Sequence, residues 1–341
     1  SIWMTALLFY APLLAQERGI AKTKLGLIMS VSMLIAGILA PLAGGLSDKT
    51  GRQKRYLIIL TILCCAFTLF MTSSPFLSII IISLSLANIL YQLSLPIYNS
   101  LLPRFTSFSE IGKISGFGIS AAYLGGIIGM GILIPLKEKF GYTIIFITSV
   151  VIFFIFSLPL FLFVKEKALS NIDSISILLR EVLNSIRSTV VNVRKYNNLS
   201  LFLLSVFLHT QAIDTVTFFF STYATKGWGI TQKEAGILFV IASISASLSA
   251  FLLGRLVDRL GAKKMLIFVI EGWFFLILLA SFSNLRFLFY IVSFIAGGLL
   301  GVTFTTDRVL LLKISPANKR GEFLGFYGVV GRFSSLLGPI L

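Results

Sequence analysis

Four ionisable side chains stand inside stretches that are otherwise apolar for about 20 residues: His209 and Asp214 in one, Arg308 in a second, Arg332 in a third. A charge in such a setting costs roughly 2.5 to 3.5 kcal/mol on insertion scales, so its retention points to a task. The guanidinium fork fits a carboxylate or phosphate, and Arg308 and Arg332 with His209 therefore describe a site for an anionic or zwitterionic solute. His209 is the only histidine; with an unperturbed pKa near about 6.5 it could carry a coupling proton, as could Asp214. Gln211, and Asn88 with Gln92 four residues apart on one helical face, would add neutral hydrogen-bonding contacts. Each residue also has a structural reading. Arg308 could pair with Asp307 or Asp214, Arg332 could lock helix packing, His209 could be a hydrogen-bonded packing residue, and the amides could bond between helices.

Enzymatic chemistry is not indicated. There is no Gly-Lys-Ser/Thr phosphate loop and no metal-ligand spacing, and the two cysteines, Cys64 and Cys65, are adjacent in an apolar run where they read as packing residues. No cofactor and no metal follow from the sequence.

The elements that position these groups must be membrane helices. Of 341 residues 57% are hydrophobic and 12% charged, with mean hydropathy +0.97, too few polar residues to coat a soluble globule. Continuous rather than alternating apolar runs exclude a barrel. The net charge of +16 sits in short gaps between runs, which marks it as a topology signal and not a nucleic-acid surface. Spans are expected near 1–15, 25–46, 56–73, 76–101, 113–135 and 143–164, then, after a polar stretch, near 199–222, 235–254, 265–282, 287–312 and 321–341. About 11 helices are thus visible, the first incomplete, with a twelfth expected in a longer chain. Loops 2/3, 4/5, 6/7, 8/9 and 10/11 hold about 19 Lys and Arg against about 8 in the others, which places the N-terminus in the cytoplasm.

An internal repeat organises the chain. Gly44-Gly45-Leu46-Ser47-Asp48-Lys49-Thr50-Gly51-Arg52 after span 2 matches Gly254-Arg255-Leu256-Val257-Asp258-Arg259-Leu260-Gly261 after span 8, with the aspartates 210 residues apart. At nearly the same offset, 209, Gly112-Lys113-Ile114-Ser115-Gly116-Phe117 matches Gly321-Glu322-Phe323-Leu324-Gly325-Phe326. Two matches at one offset indicate a duplicated six-helix half. The symmetry predicts that Asp48 lies by the N-terminus of span 11, near Gly321, and Asp258 by that of span 5, near Gly112. A carboxylate at a helix N-terminus gains roughly 0.3 to 1 kcal/mol when exposed. Gly44, Asp48, Gly51, Arg52, Gly254, Asp258, Arg259 and Gly261 are accordingly read as gating residues of a breakable latch between halves. The plainer alternative is a tight turn whose basic residues only set orientation.

These loops resemble the signature loop of the major facilitator superfamily, and the resemblance covers essentially the whole chain. Tyr98-Asn99-Ser100-Leu101-Leu102-Pro103, Ser115-Gly116-Phe117-Gly118, Tyr123-Leu124-Gly125-Gly126 and Gly321 to Tyr327, with Arg332 and Gly338-Pro339, resemble the vacuolar amino-acid effluxer family and its prokaryotic relatives. The resemblance implies an all-α polytopic fold of two six-helix bundles around a cavity that opens alternately to either side. It also implies gradient-driven export or import of an amino acid or related small metabolite, in a prokaryotic cell membrane. Two positions depart from those relatives: Gln211-Ala212 replaces Asp-Gly in span 7, and Ile2 replaces an Asp before Trp3. Drug or sugar efflux on the same fold, and a non-transporting receptor or scaffold, are the alternatives. A bundle that closes on itself is read as a monomer, with a small-molecule solute and the bilayer as partners and a proton as the coupling ion.

The domains expected are 1–164, an N-terminal bundle; 165–198, a linker; and 199–341, a C-terminal bundle lacking its last helix. Within the linker, Ile172, Ile175, Leu179, Val182, Ile186, Val190 and Val193 recur on one face and Arg180, Arg187 and Arg194 on the other, predicting an amphipathic helix flat on the cytoplasmic leaflet.

Overall fold

The computed structural model describes residues 3, 6, 22–74, 76–166, 175–191, 193–282 and 286–337. They form α1 (Lys22–Thr50), α2 (Gln53–Ser73), α3 (Leu77–Ser100), the short α4 (Leu102–Phe105), α5 (Ile111–Phe163), α6 (Ile175–Val191), α7 (Asn197–Gly227), α8 (Gln232–Leu260), α9 (Ala262–Phe282), α10 (Arg286–Ile314) and α11 (Arg320–Leu337). There is no strand among the described residues. Nine spans among them are long and apolar enough to cross a membrane. Most of the first expected span, residues 167–174 of the linker and the Gly338-Pro339 motif lie outside the described residues.

One expectation about boundaries is corrected. The repeated motifs are not loops. α1 runs through Gly44, Gly45 and Asp48 to Thr50, and α8 through Gly254 and Asp258 to Leu260. The backbone leaves the helix only at the motif's closing glycine: Gly51 has φ 67° and Gly261 φ 89°, values that a side chain resists. Within α5 the backbone leaves the helix at Gly141 (φ 75°, ψ −169°), so the expected spans 5 and 6 are two membrane-length stretches, Ile111–Leu133 and Glu138–Phe163.

The chain packs as two compact units, each drawn from both ends of the sequence. The first holds Ser1–Leu101, Ile128–Leu203 and Ser315–Phe333. Its core joins Trp3, Cys64, Met71, Ile80, Leu84, Ala87, Ile145 and Phe146. Both cysteines are free and buried, as packing residues should be. The second unit holds Leu102–Ile127, Leu204–Ile314 and Ser334–Leu341. Here α8 and α10 approach closely because a side chain at Gly297 or Gly301 would run into the backbone of Ala242 or Ala246, and van der Waals packing of small residues is what associates helices in lipid. At the start of α8, Thr231 and Glu234 form a reciprocal capping box, which Arg286 of α10 joins through an ion pair to Glu234.

Candidate functional site

The repeat's acids end on helix N-termini, one in each unit. In the second unit Asp258 accepts hydrogen bonds from the backbone N–H groups of Gly112 (2.7 Å) and Lys113 (2.8 Å), the first residues of α5. In the first unit the backbone of Gly321 and Glu322, at the start of α11, bonds Asp48, with the Glu322 N–H at 3.0 Å. Orphan N–H groups and the positive end of the helix dipole make these termini natural partners for a carboxylate. Glycine is what permits the approach. A Cβ at Gly44 would overlap the carbonyl oxygen of Gly321, and one at Gly254 would stand 2.7 Å from that of Gly112. Each contact therefore joins a helix from one sequence half to a helix from the other.

The first copy has a third participant that sequence reasoning missed. The helix α6 packs on α1, with Val182 fully buried against Gly45. It reaches α11 as well. Ser185 Oγ donates to Glu322 Oε2 (2.8 Å), Thr189 Oγ1 to Oε1 (2.5 Å), and Lys319 Nζ lies 3.7 Å from the same carboxylate, whose side chain is 2% exposed. A cavity of about 370 Å3 opens here, lined among others by Asp48, Lys49, Ser185, Lys319 and Glu322. The expected placement of the linker is thus corrected in part. Its Val182 edge belongs to a protein contact, because Gly45 leaves room for it, while Ile177, Leu183 and Val190 stay exposed. Arg194 and Val193 carry no described side chain. The available signal was Ser185 and Thr189 spaced i, i+4, which puts both hydroxyls on one edge of α6.

The membrane-depth residues are divided between the units. In the second, His209 Nε2 of α7 lies 3.0 Å from Asp307 Oδ2 of α10, with side chains 7% and 1% exposed. Arg308, also buried, donates from Nε to Ser115 Oγ (2.9 Å) and from a terminal nitrogen to Ser115 O (2.5 Å). Gln211 and Asp214 of α7 are half-buried. In the first unit Arg332 donates to Gln92 Oε1 (3.0 Å) and lies against Gly37 and Gly328. His209 and Arg308 fall in the second unit and Arg332 in the first. Asn88 is fully buried, and neither polar atom of its side chain has a partner among the described residues. No group of His, Cys, Asp and Glu among the described residues could hold a metal ion.

Known proteins share this architecture. The family model described as Major Facilitator Superfamily matches residues 1–339. An uncharacterized MFS-type transporter, YxiO of Bacillus subtilis, is 22% identical over 96% of this chain and 80% of its own length. The multidrug resistance protein MdtG of Salmonella typhi is 26% identical over 93% of this chain and 77% of its own. Among solved structures, the human organic anion transporter MFSD10 superposes with a TM-score of 0.78 at 15% identity, over 99% of this chain and 88% of that one.

Proposed function

Because the chain belongs to the Major Facilitator Superfamily, we propose that it is a secondary transporter that moves a small solute across the membrane by alternating access. The observation that carries this reading is the pair of carboxylate contacts at Asp48 and Asp258. A scaffold has no need of two symmetry-related contacts that each join the sequence halves through one acid and two backbone N–H groups. Such contacts are strong enough to hold and weak enough to break. A hydrogen bond to a charged group contributes about 1.5 to 3 kcal/mol, within the range that a change of state can supply. In this reading Gly44, Gly51 and Arg52, with Gly254, Arg259 and Gly261, shape the two helix ends that carry the acids.

The solute reading that follows from the side chains is an amino acid or another small anionic or zwitterionic metabolite. Buried Arg308 and half-buried Arg332 supply fixed positive charge, and Gln92, Gln211 and Asn88 supply neutral contacts. Drug efflux is the second reading, favoured by the likeness to the multidrug resistance protein.

Purified protein is heated with a panel of amino acids, organic anions, sugars and cationic drugs, and each stabilising solute is then followed as flux into proteoliposomes. Saturation at about 100 times Kd adds roughly 2.7 kcal/mol of stability. Carboxylated solutes alone should act, and Arg308→Ala or Arg332→Ala should abolish their effect. Stabilisation and flux with cationic drugs would establish the second reading instead. Flux by an intact protein carrying Asp48→Asn at the wild-type rate would sink the latch.

A further inference from the structure

We infer that Arg332, Gln92 and Asn88, all in the first unit, form the subsite that selects the solute, and that it takes a small monocarboxylate bearing an uncharged amide or hydroxyl. This deepens the transporter reading and rests on it.

Three helices bring the arginine and its amide together. Arg332 of α11 donates to Gln92 Oε1 of α3 (3.0 Å), and a Cβ at Gly37 of α1 would stand 3.6 Å from its Cδ. The other terminal nitrogen, Nη1, is buried without a hydrogen-bond partner, and no carboxylate among the described residues pairs with the guanidinium. The acids of the unit are engaged elsewhere. Asp48 and Glu322 meet at the start of α11, about 15 Å back along that helix, Glu181 pairs with Lys49, and Glu138 is exposed. A cation held in protein normally has an anion beside it, yet Arg332 rests on a neutral amide oxygen. A solute carboxylate supplies the missing charge and fills both arms of the fork, so it displaces Gln92 Oε1. The unbonded arm is left uncovered by Gly328, where a Cβ would stand 2.9 Å from Nη1. Arg308 differs, since its Nε and a terminal nitrogen are both spent on Ser115.

Asn88 supplies the second half of the subsite. It precedes Gln92 by four residues and shares its face of α3. Its side chain is fully buried, and neither its oxygen nor its nitrogen has a partner among the described residues. An amide kept only for packing would bridge two helices, and this one bridges none of those described. An orphaned donor and an orphaned acceptor on one group match a ligand group that both accepts and donates, which a carboxamide or a hydroxyl does. Gln92 Nε2 is held only by the sulfur of Met33 (3.3 Å), a weak acceptor, so the displaced amide is free to turn toward the same ligand group. Four residues of helix rise about 6 Å, a separation that a chain of about two or three methylene groups spans.

Glutaramate and succinamate, each a carboxylate joined to a carboxamide, are the probes. They are titrated against the full chain in lipid nanodiscs, with the thermal midpoint and the dissociation constant as readouts. In wild type at least one should bind at least about tenfold more tightly than its diamide, which lacks the charge. It should exceed by a similar factor its branched alkanoate, 5-methylhexanoate or 4-methylpentanoate, in which an isopropyl group replaces the amide. Arg332→Ala should erase the preference for the charge, and Asn88→Leu or Asn88→Ala the preference for the amide. Gly328→Ala, whose methyl group crowds Nη1 but leaves the charge, serves if Arg332→Ala does not fold, and should weaken the first preference several-fold. A charge preference unaltered by Arg332→Ala or Gly328→Ala, or an amide preference unaltered at Asn88, overturns the subsite. Failure of both probes to bind wild type overturns it too. Flux of other panel solutes would then leave the transport reading intact, whereas no flux of any solute would count against that reading as well.

Discussion

The two copies of the repeated acid solve one problem with opposite charges beside them. Asp258 meets the start of α5, where the residue after the glycine is Lys113; Asp48 meets the start of α11, where the equivalent residue is Glu322. In the second unit the contact is complete with two backbone bonds, and the Lys113 ammonium pairs with Glu110. In the first, a half-buried carboxylate and a buried one come together, a costly arrangement unless hydrogen bonds and a cation offset it. Ser185, Thr189 and Lys319 do so, and two of these three belong to or adjoin the linker's contact with α11. Duplication thus preserved the geometry of the latch while one copy came to depend on α6.

The largest effect that can break this comparison is steric. Gly44→Ala sets a methyl group against the carbonyl oxygen of Gly321, and both atoms belong to rigid helices that cannot yield singly. A loss at or above the usual overpacking range of about 1 to 3 kcal/mol is expected, seen as a lower thermal midpoint and faster amide exchange in the first turn of α11. Gly254→Ala, with a 2.7 Å approach, should do the same to α5 less severely. Undisturbed exchange in Gly44→Ala would mean that the close approach is not needed.

Charge removal comes next, and it should separate the copies. Asp258→Asn loses the charge-assisted strength of both backbone bonds, with no repulsion relieved in return, at a cost of roughly 2 kcal/mol. Asp48→Asn loses bonds of the same type but also relieves the repulsion from Glu322, so about 1 kcal/mol is expected. Exchange of the Gly112 and Lys113 amides should accelerate more in the first variant than that of Gly321 and Glu322 in the second, by several-fold. Equal accelerations would erase the asymmetry.

The linker's share is smaller. Ser185→Ala combined with Thr189→Ala removes two donors from Glu322, but Lys319 remains, and about 1 kcal/mol should be lost. Faster exchange should be confined to α6 and α11, with α5 unchanged. A response at α5 would show that the copies are not independent.

How much of this was readable from residues alone follows from which interactions are local in kind. The spans were legible because apolar runs of sufficient length have one structural solution in lipid. The acids' destinations at Gly321 and Gly112 were legible because the repeat offset carries a spatial relation. The helical character of Gly44 to Thr50 was not, since Gly-Gly and Ser-Asp-Lys-Thr-Gly are turn compositions that packing against α11 overrides. Asp307 was hidden by its neighbour, as an adjacent Asp-Arg suggests self-pairing and says nothing of a histidine 98 residues away. Ser185 and Thr189 on an amphipathic helix look like solvated residues until Glu322 is placed beside them.

The smallest prediction tests how α6 is attached to α1. Lys49 and Glu181 pair at 3.0 Å with side chains 41% and 53% exposed, and exposed pairs of this kind contribute about 0.2 to 1 kcal/mol. Lys49→Ala should therefore change the exchange of α6 by only a few-fold. In about 1 M salt, where screening acts within roughly 3 Å, wild type and variant should coincide. Such behaviour assigns the hold on α6 to Val182 in the cleft at Gly45 and to the hydroxyl bonds on Glu322. A large loss that persists in salt would instead make the ion pair the anchor, and the dependence of the first latch on its buried carboxylate would be correspondingly weaker.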